Sequence, residues 1–230
     1  LLPNNAAFRL GLSATPQRWF DPSGTESLFA YFGGVAFTYN LADALRDGVL
    51  CPYSYHIVPV SLEDDELEEY HDLTLRISRM GWTEDREAEN PSPALQALLI
   101  KRARIAATAR GKVPALRTIL QPLTESTHNL IYCGDGSVES PADDRVQRQV
   151  DVVTRMLGND MRMRVGRYTA ETPLGRRDAL RRSFADGDIQ CLVAIRCLDE
   201  GVDIPETRRA FILASTSNPR QFVQRRGRIL

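Results

Sequence analysis

Long apolar runs are the first thing missing. Nowhere in the 230 residues does one approach the roughly twenty that a membrane-crossing helix needs, and no secretory signal pattern opens the chain. Cysteine is scarce. Cys51, Cys133, Cys191 and Cys197 contain no Cys-x-x-Cys spacing, and three of them lie in or beside apolar strand-like runs. That pattern speaks for buried thiols in a reducing cytoplasm. There is no charge imbalance either: the formal net charge is −1, so any surface that attracts nucleic acid must be local. Lysine is nearly absent, with only Lys101 and Lys112 among many arginines. A phosphate-cradling Gly-x-x-x-x-Gly-Lys-[Ser/Thr] loop is also lacking, because Gly111-Lys112 is followed by Val113 and has no glycine at the upstream spacing.

What is present is concentrated near the C-terminal end. Cys191-Leu-Val-Ala-Ile195 is an apolar run bounded by Gly187 and by charged residues, the pattern of a strand buried on both faces. A polar turn follows, Asp199-Glu-Gly-Val-Asp-Ile-Pro205. In it Gly201 permits close backbone approach, and Asp203 offers two acceptors suited to a pair of ribose hydroxyls. Ala210-Phe-Ile-Leu213 is a second buried strand. Beyond it lies Gln221-Phe-Val-Gln-Arg-Arg-Gly-Arg228, three arginines within four positions and no acid near them in sequence.

Upstream, Phe8 to Leu12 reads as a short strand ending at Ser13-Ala-Thr-Pro16, Val35 to Tyr39 as another, and Leu41 to Asp47 as a helix stopped by Gly48. Pro52 marks a domain crossing, with Tyr53 to Leu62 strand-like. A helix follows, with Ser61 as N-cap, acids in its first turns and Arg76 and Arg79 near its end. Leu67, Tyr70, Leu73, Ile77 and Met80 share one face, and Gly81 closes it. Helix N-termini and solvated faces explain the acids without a metal. Ser92-Pro93 opens a helix to about Arg110, and Pro114 opens the next. From Asn129 strands and helices alternate, the signature of a parallel α/β sheet. Leu130 to Cys133 is a strand ending at Gly134, and a helix carries Val146, Val150, Val153 and Leu157. Met161 to Val165 is a strand and Tyr168-Thr169-Ala170 a turn. Thr172-Pro173 caps a helix with Leu174, Leu180 and Phe184 inward.

The two C-terminal blocks, in this order and at this spacing, resemble motifs V and VI of the superfamily-two helicases and translocases, in the branch with the XPB-like DNA translocases and restriction-enzyme motor subunits. Ser13-Ala14-Thr15 resembles motif III, and the turns at Gly134 and Thr169 resemble motifs IV and IVa. The resemblance implies a RecA-like α/β fold. Residues 1–50 would be the end of a first RecA-like domain, and residues 51–230 a second one with a helical insertion at about 62–125. It further implies that ATP with Mg2+ is hydrolysed between the two domains, with the phosphate loop and the Mg2+ ligands in an upstream part of the intact protein. By motif position Arg228 is an arginine finger, assisted by Arg225. Gln224, Gly201 and Asp203 belong to the nucleotide site, and Ser13, Ala14 and Thr15 couple that site to the domain interface. Gly134, Thr169 and Arg196 face the nucleic acid, DNA before RNA, through its backbone. Many helicases carry a threonine in motif V where this chain has Ile195, which leaves the phosphate contact to Arg196. On this reading the chain alone has no ATPase activity. A RecA-like scaffold that binds a partner or nucleic acid without catalysis, and an RNA helicase, are the alternatives. The resemblance places the intact protein in the context of DNA restriction or repair.

Overall fold

The computed structural model describes residues 6–13, 15–17, 21–82, 91–134, 137–140, 143–195 and 204–214. Its centre is a four-stranded sheet of β1 (Asn129–Tyr132), β4 (Val165–Tyr168), β5 (Cys191–Ala194) and β6 (Arg209–Ile212), in the order β4-β5-β1-β6. All three pairings are parallel. Leu130 stands opposite Leu192 on one side and Ala210 on the other, and Val165 opposite Cys191. β1 and β5 are buried along their whole length, as continuous apolar runs in a parallel sheet must be.

Alternation along the strands sends side chains to two cores. Ile131, Cys133, Cys191 and Val193 face Leu116 and Leu120 of α5 (Lys112–Leu120) and Val150 and Val153 of α6 (Gln149–Arg155). Leu130, Tyr132, Leu192 and Ala194 face the other way, onto Phe184 and Leu180 of α7 (Leu174–Ala185) and onto Ile204. Helices therefore cover both faces of the parallel sheet, the α/β arrangement expected from sequence. A second, two-stranded sheet pairs β2 (Ser137–Ser140) antiparallel with β3 (Asp143–Arg148).

The helices before the sheet are α1 (Pro22–Phe32), α2 (Leu41–Arg46), α3 (Asp64–Arg79) and α4 (Pro93–Thr108). Helix α2 is closed off at Gly48 with φ +70°, and α4 starts at the Ser92 cap with Pro93 in its first turn. The acids that open α3 suit the positive end of its dipole, and they hold Arg110, two residues past the end of α4. Arg110 pairs with Glu63 at 3.1 Å and with Asp65, and its backbone N–H donates to Glu66 Oε1 at 2.9 Å. Further along, Lys101 reaches Glu69 at 2.7 Å.

Several local expectations are corrected. Residues 8–12, 35–39 and 53–62 form no strand, since no β-ladder among the described residues includes them, and Phe8, Leu10 and Leu12 are more than four-fifths exposed. The N-cap of α3 is Glu63, not Ser61, because Glu63 and Glu66 close a reciprocal capping box. Of the apolar face expected for α3, Leu73 and Ile77 are buried, whereas Leu67 and Met80 are exposed. Val146 lies in β3, and the helix begins at Gln149. That helix runs on into a wide π turn over Met156–Asp160, after which Arg162 takes φ +55°, so the next strand starts at Val165 instead of Met161. Thr172 does not cap α7. Its hydroxyl accepts from the Thr169 N–H at 3.1 Å, and Leu174 stays 76% exposed.

Candidate functional site

Parallel strands deliver all their C-terminal ends to one edge, where α/β sheets bind their ligands. Gly134 after β1, Thr169 after β4 and Leu213-Ala214 after β6 therefore share that edge. Because β5 separates β4 from β1, the Gly134 and Thr169 turns stand about 10 Å apart by ordinary strand spacing.

The exit of β1 is fastened on both sides. The Cys133 N–H donates to Ala194 O at 2.8 Å, the Leu213 N–H donates to Tyr132 O at 2.9 Å, and the Gly134 N–H donates to Gln149 Oε1 at 2.7 Å. Gln149 is wholly buried, and its amide nitrogen donates to Ala107 O at 3.3 Å. Gly134 has an ordinary φ, so its lack of a side chain serves close approach: a Cβ there would lie 3.1 Å from that of Ala214.

The exit of β4 is held from α7. Arg177 donates to Thr172 O at 2.8 Å, Ala170 O at 2.8 Å and Thr169 O at 3.2 Å, gathering three turn carbonyls with one guanidinium fork. Thr169 is buried. On the outside of the turn Glu171 pairs with Arg148 at 2.6 Å and Arg167 at 3.8 Å, and Arg167 reaches Asp151 at 2.6 Å. Arg148 above all holds the Glu171 carboxyl below its usual range.

The exit of β6 meets Lys112, whose ammonium donates to Leu213 O at 2.6 Å and Ala107 O at 3.3 Å. Burial lowers its pKa, and Glu66 opposes the change. At the other end of the chain Ser13 Oγ accepts from the Thr15 N–H at 3.1 Å, and the Thr15 hydroxyl is buried with no partner among the described residues.

The structure thus brings Gly134 and Thr169 to one edge, but both are buried and both backbone N–H groups already have protein acceptors. Ala14, Arg196, Gly201, Asp203, Gln224, Arg225 and Arg228 lie outside the described residues. Sequence reasoning missed Gln149, Arg177 and Lys112 as fasteners of this edge. Only Lys112 carried a signal, being one of two lysines in an arginine-rich chain. Among the described residues no three His, Cys, Asp or Glu side chains are grouped to hold a metal ion, and no helix is long and apolar enough to cross a membrane.

Comparison with known proteins gives this edge a context. Residues 117–230 match the family described as Helicase conserved C-terminal domain. The DNA 3'-5' translocase XPB2 of Sulfurisphaera tokodaii is 25% identical over 238 residues, covering 97% of this chain and 49% of that protein. The chain thus spans about half the length of that curated relative. Among solved structures, the Sulfolobus solfataricus SWI2/SNF2 ATPase C-terminal domain gives a TM-score of 0.48 at 12% identity, over 68% of this chain and 69% of that one. The Sulfolobus solfataricus SWI2/SNF2 ATPase core in complex with dsDNA gives 0.48 at 14% identity, over 72% and 36%.

Proposed function

We propose, because residues 117–230 match the family described as Helicase conserved C-terminal domain, that the chain is the C-terminal motor part of an ATP-driven DNA translocase or helicase. In this reading residues 51–230 are the second of two RecA-like domains and residues 1–50 the end of the first, and ATP is hydrolysed in the cleft between them. The observation that carries it is the fastened C-terminal edge of the parallel sheet, within the segment that matches the family and continuous in sequence with the arginine-bearing block.

The chemistry required of this chain is electrostatic. Negative charge on the transferring phosphoryl oxygens is stabilised by guanidinium donors already in place, and such arginine fingers contribute about three to five powers of ten in rate. Arg228 is that donor, Arg225 and Gln224 organise the site around it, and Asp203 accepts from the ribose hydroxyls. The backbone at Gly201 comes close to the ligands of the cleft. Mg2+ neutralises phosphate charge when bound. In our reading its ligands come from an upstream part of the intact protein. The Thr15 hydroxyl, buried with no partner among the described residues, supports a coupling role for Ser13, Ala14 and Thr15.

On the DNA side contacts run to phosphates and are independent of sequence. The N–H groups of Gly134 and Thr169 are bonded internally. In our reading these two residues therefore shape turns that the strand passes, and Arg196 supplies a positive charge. The reducing cytoplasm is the fitting compartment for the buried, unpaired Cys133 and Cys191.

Arg228→Ala in the full-length protein tests the assignment. We expect kcat to fall at least about a hundredfold while ATP affinity changes much less, because a finger acts mainly in the transition state. Normal turnover would end the assignment. A variant that merely melts earlier, losing all activities together, would make Arg228 a structural ion-pair residue.

A further inference from the structure

Lys112 occupies an expensive position. It opens α5, where the helix dipole is positive and an added cation is unfavourable. It is also partly buried, and burial lowers its pKa. No carboxylate lies within ion-pair distance among the described residues, and its two hydrogen bonds there both go to backbone carbonyls. A methionine of similar length would avoid both penalties and pack as well against the sheet. The ammonium must therefore be needed for what it grips.

What it grips joins three elements. Leu213 O is the carbonyl at the exit of β6, and the N–H of the same residue is bonded to Tyr132 O at the exit of β1. Ala107 O belongs to the last turn of α4 and accepts from both Lys112 and Gln149, whose Oε1 holds the Gly134 N–H. One unbroken chain of hydrogen bonds thus runs from Gly134 through Gln149, Ala107 O and Lys112 to Leu213 O. Its middle links are supplied by α4, α5 and α6, so the corner between α4 and α5 clamps the exits of β1 and β6 together.

We propose that Lys112 is a positioning residue for ATP hydrolysis: it fixes the exit of β6 against that of β1, and so anchors the point from which the sequence continues to Arg225 and Arg228. This rests on the functional reading above, which places those arginines at the cleft. A lysine suits the task because its compact ammonium on a flexible stem can meet two carbonyls from different elements, where a planar guanidinium fork has a fixed geometry.

The test uses Lys112→Met, Lys112→Arg, Arg228→Ala and the double variant Lys112→Met/Arg228→Ala in the full-length protein. ATP turnover, KM and melting temperature are measured for each, with hydrogen exchange over 209–214. For Lys112→Met we expect kcat to fall at least about tenfold with KM for ATP within about twofold, the pattern of a lost transition-state interaction. Exchange over 209–214 should rise, Lys112→Arg should recover part of kcat, and the double variant should be no slower than Arg228→Ala alone. Should Lys112→Met melt below the assay temperature, Lys112→Gln, which keeps a donor but shortens the reach, is judged by the same criteria.

Wild-type kcat in a folded Lys112→Met overturns the proposal. So does a fall in kcat that merely tracks the unfolded fraction, or a double variant slowed by the product of the two single effects. If Arg228→Ala keeps normal turnover while Lys112→Met raises exchange and lowers kcat, the finger assignment fails and the positioning role of Lys112 stands through another residue beyond β6.

Discussion

Replacing Gln149 with leucine removes the acceptor beneath Gly134 and keeps most of the side-chain volume. Gln149 is wholly buried, and its Oε1 receives the Gly134 N–H at 2.7 Å. With leucine in place no other described group accepts that N–H, and an unpaired buried donor costs about 1–3 kcal/mol. The other half of the amide contributes less, because Ala107 O keeps its bond from Lys112 at 3.3 Å after the Gln149 donor is gone. Near-constant volume keeps the cavity contribution small, so the loss should stay within that range. For a chain of 150–250 residues it corresponds to about 2–4 °C of melting temperature per kcal/mol. Gln149→Ala should be worse, since it adds a cavity to the unpaired donor. The site-specific readout is hydrogen exchange of the Gly134 amide, which should lose protection in Gln149→Leu, while the Leu192 and Val193 amides of the central strand β5 keep theirs. Unchanged melting together with unchanged Gly134 exchange would refute the idea that this hydrogen bond fixes the exit of β1.

Three further outcomes are expected. Arg177→Ala should cost about 1–3 kcal/mol, because one charged group bonds three carbonyls of the turn, and it should raise exchange over 169–172; Arg177→Lys should recover only part, since an ammonium cannot reproduce the fork. In peptide-resolved alkylation near pH 8, Cys51 should label in the native protein, whereas Cys133 and Cys191, whose thiols burial pushes up to about 12, should label only after denaturation. The same shift sets a sign for stability. The folded-state thiol pKa lies above the ordinary 9.0, so its contribution is complete below about pH 9 and is lost as pH rises from there towards 12, which denaturant midpoints across that interval would register.

Legibility in the sequence followed how local each cause is. β1 and β5 could be read because strands buried on both faces must be nearly continuous apolar runs, as Leu130-Ile-Tyr132 and Cys191–Ala194 are, whereas β6, expected to be buried as well, is only partly buried, with Arg209 exposed. Ser92-Pro93 announced α4 because a cap and a first-turn proline act on their immediate neighbours. The pair β2 and β3 was invisible, since Asp143-Asp-Arg-Val-Gln-Arg148 shows no apolar alternation. The shift of β4 to Val165 depends on the π turn over Met156–Asp160, which no propensity marks. The expected strands before residue 63 had suitable side chains, but a strand exists only through its partner, and none stands beside them among the described residues. At the site, motif order pointed to Gly134 and Thr169. The residues that hold them did not show, because Gln149 acts 15 positions from Gly134 and Lys112 acts 101 positions from Leu213.

The fasteners share a physical origin. Where a parallel strand ends, its last amides and carbonyls lose the neighbouring strand, and a buried group left so must find a side chain. At β1 the partner is Gln149, at β4 Thr172 and Arg177, and at β6 Lys112. Each partner comes from a helix, or the segment leading into one, that also packs on the sheet, so the helices that cover the faces also stiffen the edge. For the ATP-driven motor part proposed above, stiffness there matters. Donors that stabilise developing charge are effective to the extent that they need no reorganisation when the charge appears. A displacement of Ala107 and Lys112 as one piece would move the exits of β1 and β6 together, so that the turn proposed to meet DNA and the strand that leads on to the proposed ATP residues would move as one unit. Coupling between the two ligands would then be carried by the placement of that unit, with little left to rearrangement within it.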